Sequence, residues 1–321
     1  MLEIELFLFL VHDILLEYGV FLIIALGCYV TMMSGQLSLC HGALAGFGAY
    51  ATTVVSYNWG LPPLLGVFAG MIAGIIGGLF LTYVVSFRLV GMYLAIATFA
   101  FNEAMAVVWR NVDYVGGTLG VVGIPMIDEV LPIHIWQPID DLWILIIVIA
   151  LISFFLWRFE KSYLGRSFRA TFDDERIAEA MGVNLRMVKL LAWSIGGGIA
   201  GIGGALFAHN LGIIRPDNFQ IPFAVLVLLA PVIGGYTKFW GVYLGAFVII
   251  FGPHILNYVS EILGAGLDVK SPEIKMMLFG GLYIGFMLWR PDGVIDRRGF
   301  PWKSVNIFKL MMRQHEARAK P

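Results

Sequence analysis

The sequence has little charge. Of its 321 residues, 13% are charged and 59% are hydrophobic, whereas soluble proteins carry about 25% charged residues. One soluble core could not hide this many apolar side chains, so the composition indicates a polytopic membrane protein with the lipid bilayer as its surroundings. The net charge of −1 gives no reason to expect nucleic acid as a partner.

Cysteines and catalytic motifs are also scarce. The two cysteines, Cys28 and Cys40, form no CxxC or Cys/His cluster, so we interpret them as small buried hydrophobes and predict no metal site. The phosphate-binding motif GxxxxGK[ST] is absent, as is any Gly-Lys pair. We therefore expect this chain to bind no cofactor and to hydrolyse no ATP by itself. No nucleophile with its base is recognisable, so no catalytic residue is predicted and the chain is not expected to be an enzyme.

Long apolar runs fill most of the chain. A membrane-spanning helix needs about 20 apolar residues, and about nine segments approach this length. They are residues 18–34, 37–56, 62–87, 89–109, 141–158, 187–209, 219–235, 240–260 and 275–290. The second is rich in glycine and polar groups and could be broken or re-entrant. The sequence thus predicts an all-α polytopic membrane protein, with one transmembrane domain over residues 1–295.

The basic residues predict how the chain is oriented. Most Lys and Arg residues lie in two segments, 158–189 and 290–321. Because short cytoplasmic loops carry an excess of Lys and Arg, we expect both segments, including the tail 296–321, in the cytoplasm. The loop 111–140 is acidic apart from Arg110 and is predicted to lie outside. Counting spans from there places the N-terminus outside and the C-terminus in the cytoplasm.

Glycines recur at helical spacing within the predicted spans. Gly66, Gly70, Gly74 and Gly78 are four residues apart, so they share one helix face and allow a neighbouring backbone to approach closely. Such a face packs helices together; a second interpretation is that it lets them slide during gating.

One polar segment, YLGRSFRATFDDERIAEAMGVN at residues 163–184, lies between two spans. Ser162 or Ser167 could cap a short helix, and Asp173, Asp174 and Glu175 suit the start of another. Gly182 and Asn184 are typical stop signals. The segment therefore predicts a short helix–turn on the membrane face, which is either an ordinary solvated loop or the contact site of another subunit.

Five ordered stretches over residues 18–295 resemble motifs of the LivM-like permeases of branched-chain amino-acid ABC importers. The first is the polar segment with the KLLAWSIGGGIAGIGGALFAH that follows it. GQLSLCHGALAGFGAY resembles GQxSLGHxAFxGxGAY, and TFAFNEAMAVVWRNVDYVGGTLGVVGIP resembles TLxFxEI…N…TGGxxGxxGIP. IRPDNFQIPFAVLVLLAPVIGG resembles ISPxxFxxxxSIxxLxMVVLGG, and GGYTKFWGVYLGA resembles GGxGSxxGPxxGA.

The resemblance implies a heteromeric importer in the bacterial inner membrane. An H-type partner permease would form a heterodimer with this chain, two cytoplasmic ATPase subunits would use ATP, and a periplasmic solute-binding protein would deliver the solute. The segment 160–186 would hold the coupling helix that contacts one ATPase. Its implied contact residues are Asp173, Asp174, Glu175, Glu179, Ala180, Met181, Gly182 and Asn184.

Departures from the family motifs leave the solute open. Cys40 replaces a glycine, and Pro231 and the run from Tyr236 to Lys238 are unusual. Urea and short-amide permeases share this fold and are an alternative to carriers of branched-chain or other hydrophobic amino acids.

Polar residues inside the spans are candidates for the translocation path. Glu103 and Asn102 lie within the fourth span, where a carboxylate is costly and needs a partner, with Asn102 and Arg110 nearest in sequence. Gln36, Ser38 and His41 begin the second span. Each could instead serve as a structural hydrogen-bonding group.

Three glycines of the predicted outer loop, Gly116, Gly117 and Gly120, indicate a flexible loop, a docking surface for the binding protein or an outer gate. Two rival functions remain from the residues alone: a proton-coupled secondary carrier using Glu103 and histidines, and a membrane scaffold without transport. Polar groups inside the spans disfavour the scaffold.

Overall fold

The computed structural model describes residues 2–126, 140–236, 238–262, 280–281, 283–285 and 293–294. Most of the predicted ninth span and the tail 296–321 lie outside these residues. The described helices are α1 Leu2–Met33, α2 His41–Thr53, α3 Pro63–Leu81, α4 Met92–Arg110, α5 Asp140–Lys161, α6 Tyr163–Asp173, α7 Glu175–Ala180, α8 Leu185–Leu211, α9 Ile221–Gly234 and α10 Phe239–Ile262. Two short strands, β1 Val121–Val122 and β2 Ile213–Ile214, pair antiparallel.

Six of the described helical segments are long and apolar enough to cross a membrane. They are Val11–Met33, Pro63–Ser86, Met92–Arg110, Leu142–Lys161, Leu185–Leu211 and Pro216–Gly234, and Phe239–Ile255 is a shorter apolar helix. The protein is therefore a mostly helical, multi-pass membrane protein.

The predicted second span is interrupted. After α1 ends at Met33, residues 34–40 form a non-helical connection, and α2 then runs for 13 residues before a π-helical turn at Val54–Asn58. The break therefore lies between α1 and α2, at the start of the predicted second span, and the helix continues from His41 to Asn58.

Helix α8 lies at the centre of the bundle and contacts α1, α2 and α3. The predicted glycine face of α3 makes one of these contacts. A Cβ atom at Gly74 would overlap the carbonyl oxygen of Gly197, and one at Gly78 would overlap that of Trp193. Glycine therefore lets the backbones of α3 and α8 touch, which is how helices pack tightly in a bilayer.

The same device joins α9 to α10. A Cβ atom at Gly245 would overlap the carbonyl oxygen of Ala230, and one at Gly241 would come within 2.5 Å of the carbonyl oxygen of Gly234. In both places, glycines four residues apart form a packing face.

Large apolar side chains cover the outward faces of α3 and α5. Phe68, Ile72 and Ile76 are exposed on α3, and Leu151 and Phe154 are exposed on α5. Such continuous apolar surface suits contact with lipid or another membrane protein.

The helix ends form two distinct layers. At one end, the β1–β2 pair ties the segment after α4 to the connection between α8 and α9. At the other end, α6 and α7 lie beside the residues that join α1 to α2, where a Cβ at Gly35 would contact Phe172. We call these the β end and the α6–α7 end.

Candidate translocation and coupling sites

Asn102 joins two helix starts in the middle of the bundle. It is the eleventh residue of the 19-residue helix α4, so it lies about halfway along. Its Oδ1 accepts a hydrogen bond of 2.7 Å from the backbone N–H of Ala43, and its Nδ2 donates one of 2.9 Å to the carbonyl of Phe219. Asn102 therefore satisfies an N–H group that the beginning of α2 leaves unpaired, and it binds the chain just before α9 begins.

Glu103 serves the second of these helix starts. Its Oε1 accepts a hydrogen bond of 3.0 Å from the backbone N–H of Ile221, the first residue of α9. A carboxylate at this position also suits the partial positive charge of a helix N-terminus. Arg110, one of the polar groups nearest to Glu103 in sequence, pairs with Asp217 at 2.7 Å.

Gln36 lies in the break between α1 and α2. Its Oε1 accepts hydrogen bonds of 2.5 Å from both Ser86 Oγ and Trp193 Nε1. The side chain is buried, and its Nε2 has no hydrogen-bond partner among the described residues. Gln36 thus ties the break to α8 and to the end of the third span.

Ser38 and His41 form a second buried group in the break. Ser38 Oγ lies 3.3 Å from His41 Nδ1, and Thr31 Oγ1 lies 3.4 Å from His41 Nε2. The imidazole also stacks against Trp193, with ring centroids 6.2 Å apart. In this conformation these groups bond to one another inside a single chain.

The five candidates for the translocation path differ in how exposed their side chains are. Gln36, Ser38, His41 and Asn102 are each at most 2% exposed. Glu103 is only half-buried. Of the five, only its side chain has open surface in this conformation.

The three glycines at the β end belong to an ordered turn. Gly120 has a φ of 77°, and a Cβ there would overlap the carbonyl oxygen of Ile214 in β2. The backbone N–H of Gly117 bonds to the carbonyl of Val112, and that of Gly120 bonds to the carbonyl of Gly116. These bonds close the turn on itself, and the close approach of Gly120 to Ile214 places the turn against β2.

The α6–α7 segment begins as its sequence predicted. Ser162 caps α6 by accepting a hydrogen bond of 3.2 Å from the N–H of Gly165. Asp174 caps α7. Its Oδ1 accepts hydrogen bonds from two backbone N–H groups, that of Arg176 at 2.8 Å and that of Ile177 at 3.1 Å. These side chains satisfy amide groups that a helix start leaves unpaired.

The end of α7 differs in one detail from the prediction. Gly182 adopts a φ of 85° just after α7, as a helix stop requires. Asn184, however, caps the next helix, because its Oδ1 accepts a hydrogen bond of 3.1 Å from the N–H of Met187 in α8. Asn184 is therefore a start signal for α8 and not a stop signal for α7.

An ion pair fixes α7 against α8. Lys189 Nζ lies 3.0 Å from Glu175 Oε1, and the lysine side chain is largely buried. Asp173, Glu179 and Ala180 remain exposed. The helix is thus anchored on one side and open on the other.

The open side of α7 carries two apolar side chains. Ile177 is 64% exposed and Met181 is 81% exposed, and residues four apart share a helix face. We call Ile177 and Met181 the apolar tip. Met181 was among the contact residues expected from the sequence, whereas Ile177 was not. The spacing of four residues between two apolar side chains in a polar segment was the signal that could have identified Ile177.

A cluster of contacts around Glu160, which was not predicted from the sequence, lies at the same end of the bundle. Glu160, the penultimate residue of α5, accepts a hydrogen bond of 2.5 Å from Tyr29 on α1 and one of 3.0 Å from the N–H of Phe239 on α10. Its Oε2 lies 3.3 Å from Arg169 on α6. We call this group the Glu160 junction. It joins α6 to three helices of the bundle.

Comparison with known proteins identifies the family. The family described as "Branched-chain amino acid transport system / permease component" matches residues 10–287. The chain belongs to this family. Its members are transport subunits, so the family agrees with the absence of any catalytic prediction, and this permease is placed among the LivM-type ABC permeases.

Individual relatives have low sequence identity to this chain, but the matches cover most of it. The permease is 26% identical over 305 residues to the high-affinity branched-chain amino acid transport system permease protein LivM of Escherichia coli K12, covering 86% of this chain and 68% of that protein. LivM of Salmonella typhimurium is 26% identical over 313 residues, or 88% and 69% of the two chains. The autoinducer 2 import system permease protein LsrC of Salmonella paratyphi B is 25% identical over 247 residues, or 76% and 68%. No solved structure matches significantly.

Proposed function

We propose that this permease carries branched-chain or other hydrophobic amino acids across the bacterial inner membrane by ATP-driven alternating access. The named solute of the LivM relatives supports this assignment. An H-type permease completes the membrane dimer, two ATPase subunits supply the energy, and a periplasmic binding protein delivers the solute.

The observation that carries the proposal is the apolar tip. Two large apolar side chains on a capped, polar helix form no part of the core of this chain. A separate protein that covers them would gain apolar burial of about 25 cal/mol per Å². We infer that the ATPase subunit is this protein and that α7 is the coupling helix, with Asp173, Glu179, Ala180, Gly182 and the helix caps around its contact site.

The Glu160 junction connects the segment that carries the apolar tip to the helices of the bundle. A push on α7 reaches α6, from which Arg169 transmits it to Glu160 and so to α1, α5 and α10. Helix packing carries such a movement because packed elements shift as units. This route links ATP binding in the partner to α1 and α10, both of which pack against α9.

The experiment is reconstitution of the assembled importer with variants of the tip. The double variant Ile177→Asp with Met181→Asp should keep its fold and stop ATP-driven leucine uptake, because charge replaces the apolar contact. A matched control is Met92→Asp, which alters an exposed apolar residue at the start of α4, away from α7. Normal uptake by the tip variant would exclude this contact.

The same reconstitution decides between the rival functions. Leucine uptake that proceeds with a proton gradient and without the ATPase would favour the secondary carrier. Uptake of urea in place of leucine would favour the amide permease.

We also propose nine crossings, with the N-terminus outside and the C-terminus in the cytoplasm. Leu119 and Met181 provide a matched pair for this test, because they are 82% and 81% exposed at opposite ends of the bundle. In intact cells, a membrane-impermeant thiol reagent should label Leu119→Cys, whereas Met181→Cys should react only after permeabilisation. Both native cysteines are buried and should give little background. The reverse pattern would invert the topology.

A further inference from the structure

Glu103 lies on a face of α4 that the rest of the chain leaves open. Its neighbours four residues before and after it, Phe99 and Val107, are 38% and 50% exposed. Its Oε1 is bonded to the N–H of Ile221, and the hydrogen bonds of the described residues do not engage Oε2. A carboxylate oxygen is thus available on the surface of this chain, halfway along a span.

Polar groups connect Glu103 to the β end. Arg110 Nη2 and Gln220 Nε2 each lie 2.7 Å from Oδ1 of the exposed Asp217. Gln220 directly precedes Ile221, whose N–H bonds to Glu103. Arg110 follows Glu103 by seven positions in α4, which corresponds to a rise of about 10 Å along the helix axis.

We call Arg110, Asp217, Gln220 and Glu103 the polar strip. Such a strip is costly against lipid, and ionisable groups within spans face protein or a water-filled cavity and mark solute pathways. Arg110 and Asp217 offset each other's charge, so Glu103 leaves the strip with a negative charge at its inner end.

We propose that the polar strip lines the water-filled route of the solute and that Glu103 Oε2 binds the ammonium group of an amino acid. The inference rests on the proposed function and specifies the solute as one that carries a cationic nitrogen. Because Oε1 holds the start of α9, binding at Oε2 acts directly on the residue that positions this helix.

Thiol labelling of the assembled importer tests the water-filled route. In a background without the two native cysteines, Val107→Cys should react with a cationic, membrane-impermeant thiol reagent. Ile76→Cys, at an exposed apolar position on α3, is the matched control and should remain unlabelled. If Val107→Cys is as unreactive as this control, lipid or protein covers the strip and the proposal fails.

Protection by solutes tests the role of Glu103. Leucine should slow the labelling of Val107→Cys, whereas N-acetylleucine, which lacks the ammonium group, should not. Glu103→Gln keeps an oxygen for the N–H of Ile221 and removes the charge. The leucine concentration for half-protection should then rise about ten- to a hundredfold.

Equal protection by the two solutes, or protection unchanged in Glu103→Gln, would overturn the ammonium site. ATP-driven uptake measured on the same preparations reports on the proposed function separately. An importer that transports leucine but shows no protection would retain that function and lose this site.

Discussion

Between α3 and α8, glycines bring two backbones into contact, whereas in the α6–α7 segment polar side chains hold a short helix in the open. The first region excludes any added atom at Gly74 or Gly78. The second leaves Ile177 and Met181 largely uncovered by this chain. Residues of the first region should therefore stabilise the fold, whereas the exposed residues of the second should bind a partner. Substitutions in the α3–α8 contact should lower the stability of the chain more than substitutions in the α6–α7 segment.

The largest effect on stability should come from Gly74→Leu. The added side chain cannot enter the α3–α8 contact without displacing the backbone of Gly197, so we expect a loss of about 3 kcal/mol or more. Thermal unfolding of the purified chain in detergent is the measurement. Ile76→Ala, on the outward face of the same helix, is the control and should unfold near the wild-type temperature. A stable Gly74→Leu would mean that the two helices are not packed this closely.

A smaller effect should come from Glu160→Gln at the Glu160 junction. The amide retains an acceptor but loses the charge that pairs with Arg169, which should cost about 1–2 kcal/mol. The same unfolding measurement applies, with Glu179→Gln on the open side of α7 as a control without expected effect. If the two variants unfold alike, the junction contributes nothing to the attachment of α6.

The smallest and most local effect should come from Asp174→Ala. Loss of the α7 cap costs about 1 kcal/mol, which corresponds to about fivefold faster opening of the helix. Hydrogen exchange of the amides of Ala178 and Met181, which bond to the backbone carbonyls of Asp174 and Ile177, should therefore accelerate by this factor while exchange in α8 stays unchanged. Glu179→Ala is the control, because Glu179 caps nothing in the described part of the chain. Equal exchange in both variants would show that the cap does not hold α7.

Local features of the fold could be read from the sequence. The glycine face of α3, the caps Ser162 and Asp174, and the stop at Gly182 each depend on residues a few positions apart. Hydropathy also located the long spans. Each of these signals involves residues close in sequence, and such residues keep their local arrangement whichever way distant parts of the chain pack.

Features that depend on distant parts of the chain could not be read in this way. Nothing in the sequence brings Tyr29, Glu160, Arg169 and Phe239 together, because their contacts follow from how four helices pack. Hydropathy likewise does not report depth, so the half-way starts of α2 and α9 were not predicted. The bond between Glu103 and Ile221 could not be predicted for the same reason, since the two residues are 118 positions apart in the chain.

Asn102 and Glu103 are consecutive, yet they hold the beginnings of two different helices. One residue inserted into α4 before them would turn both side chains by about 100° around the helix axis. Both helix starts would then lose their anchors together, and neither could be released alone. The position of Asn102 and Glu103 along α4 therefore fixes the starts of α2 and α9 together, and the length of this helix should tolerate no insertion or deletion ahead of Asn102.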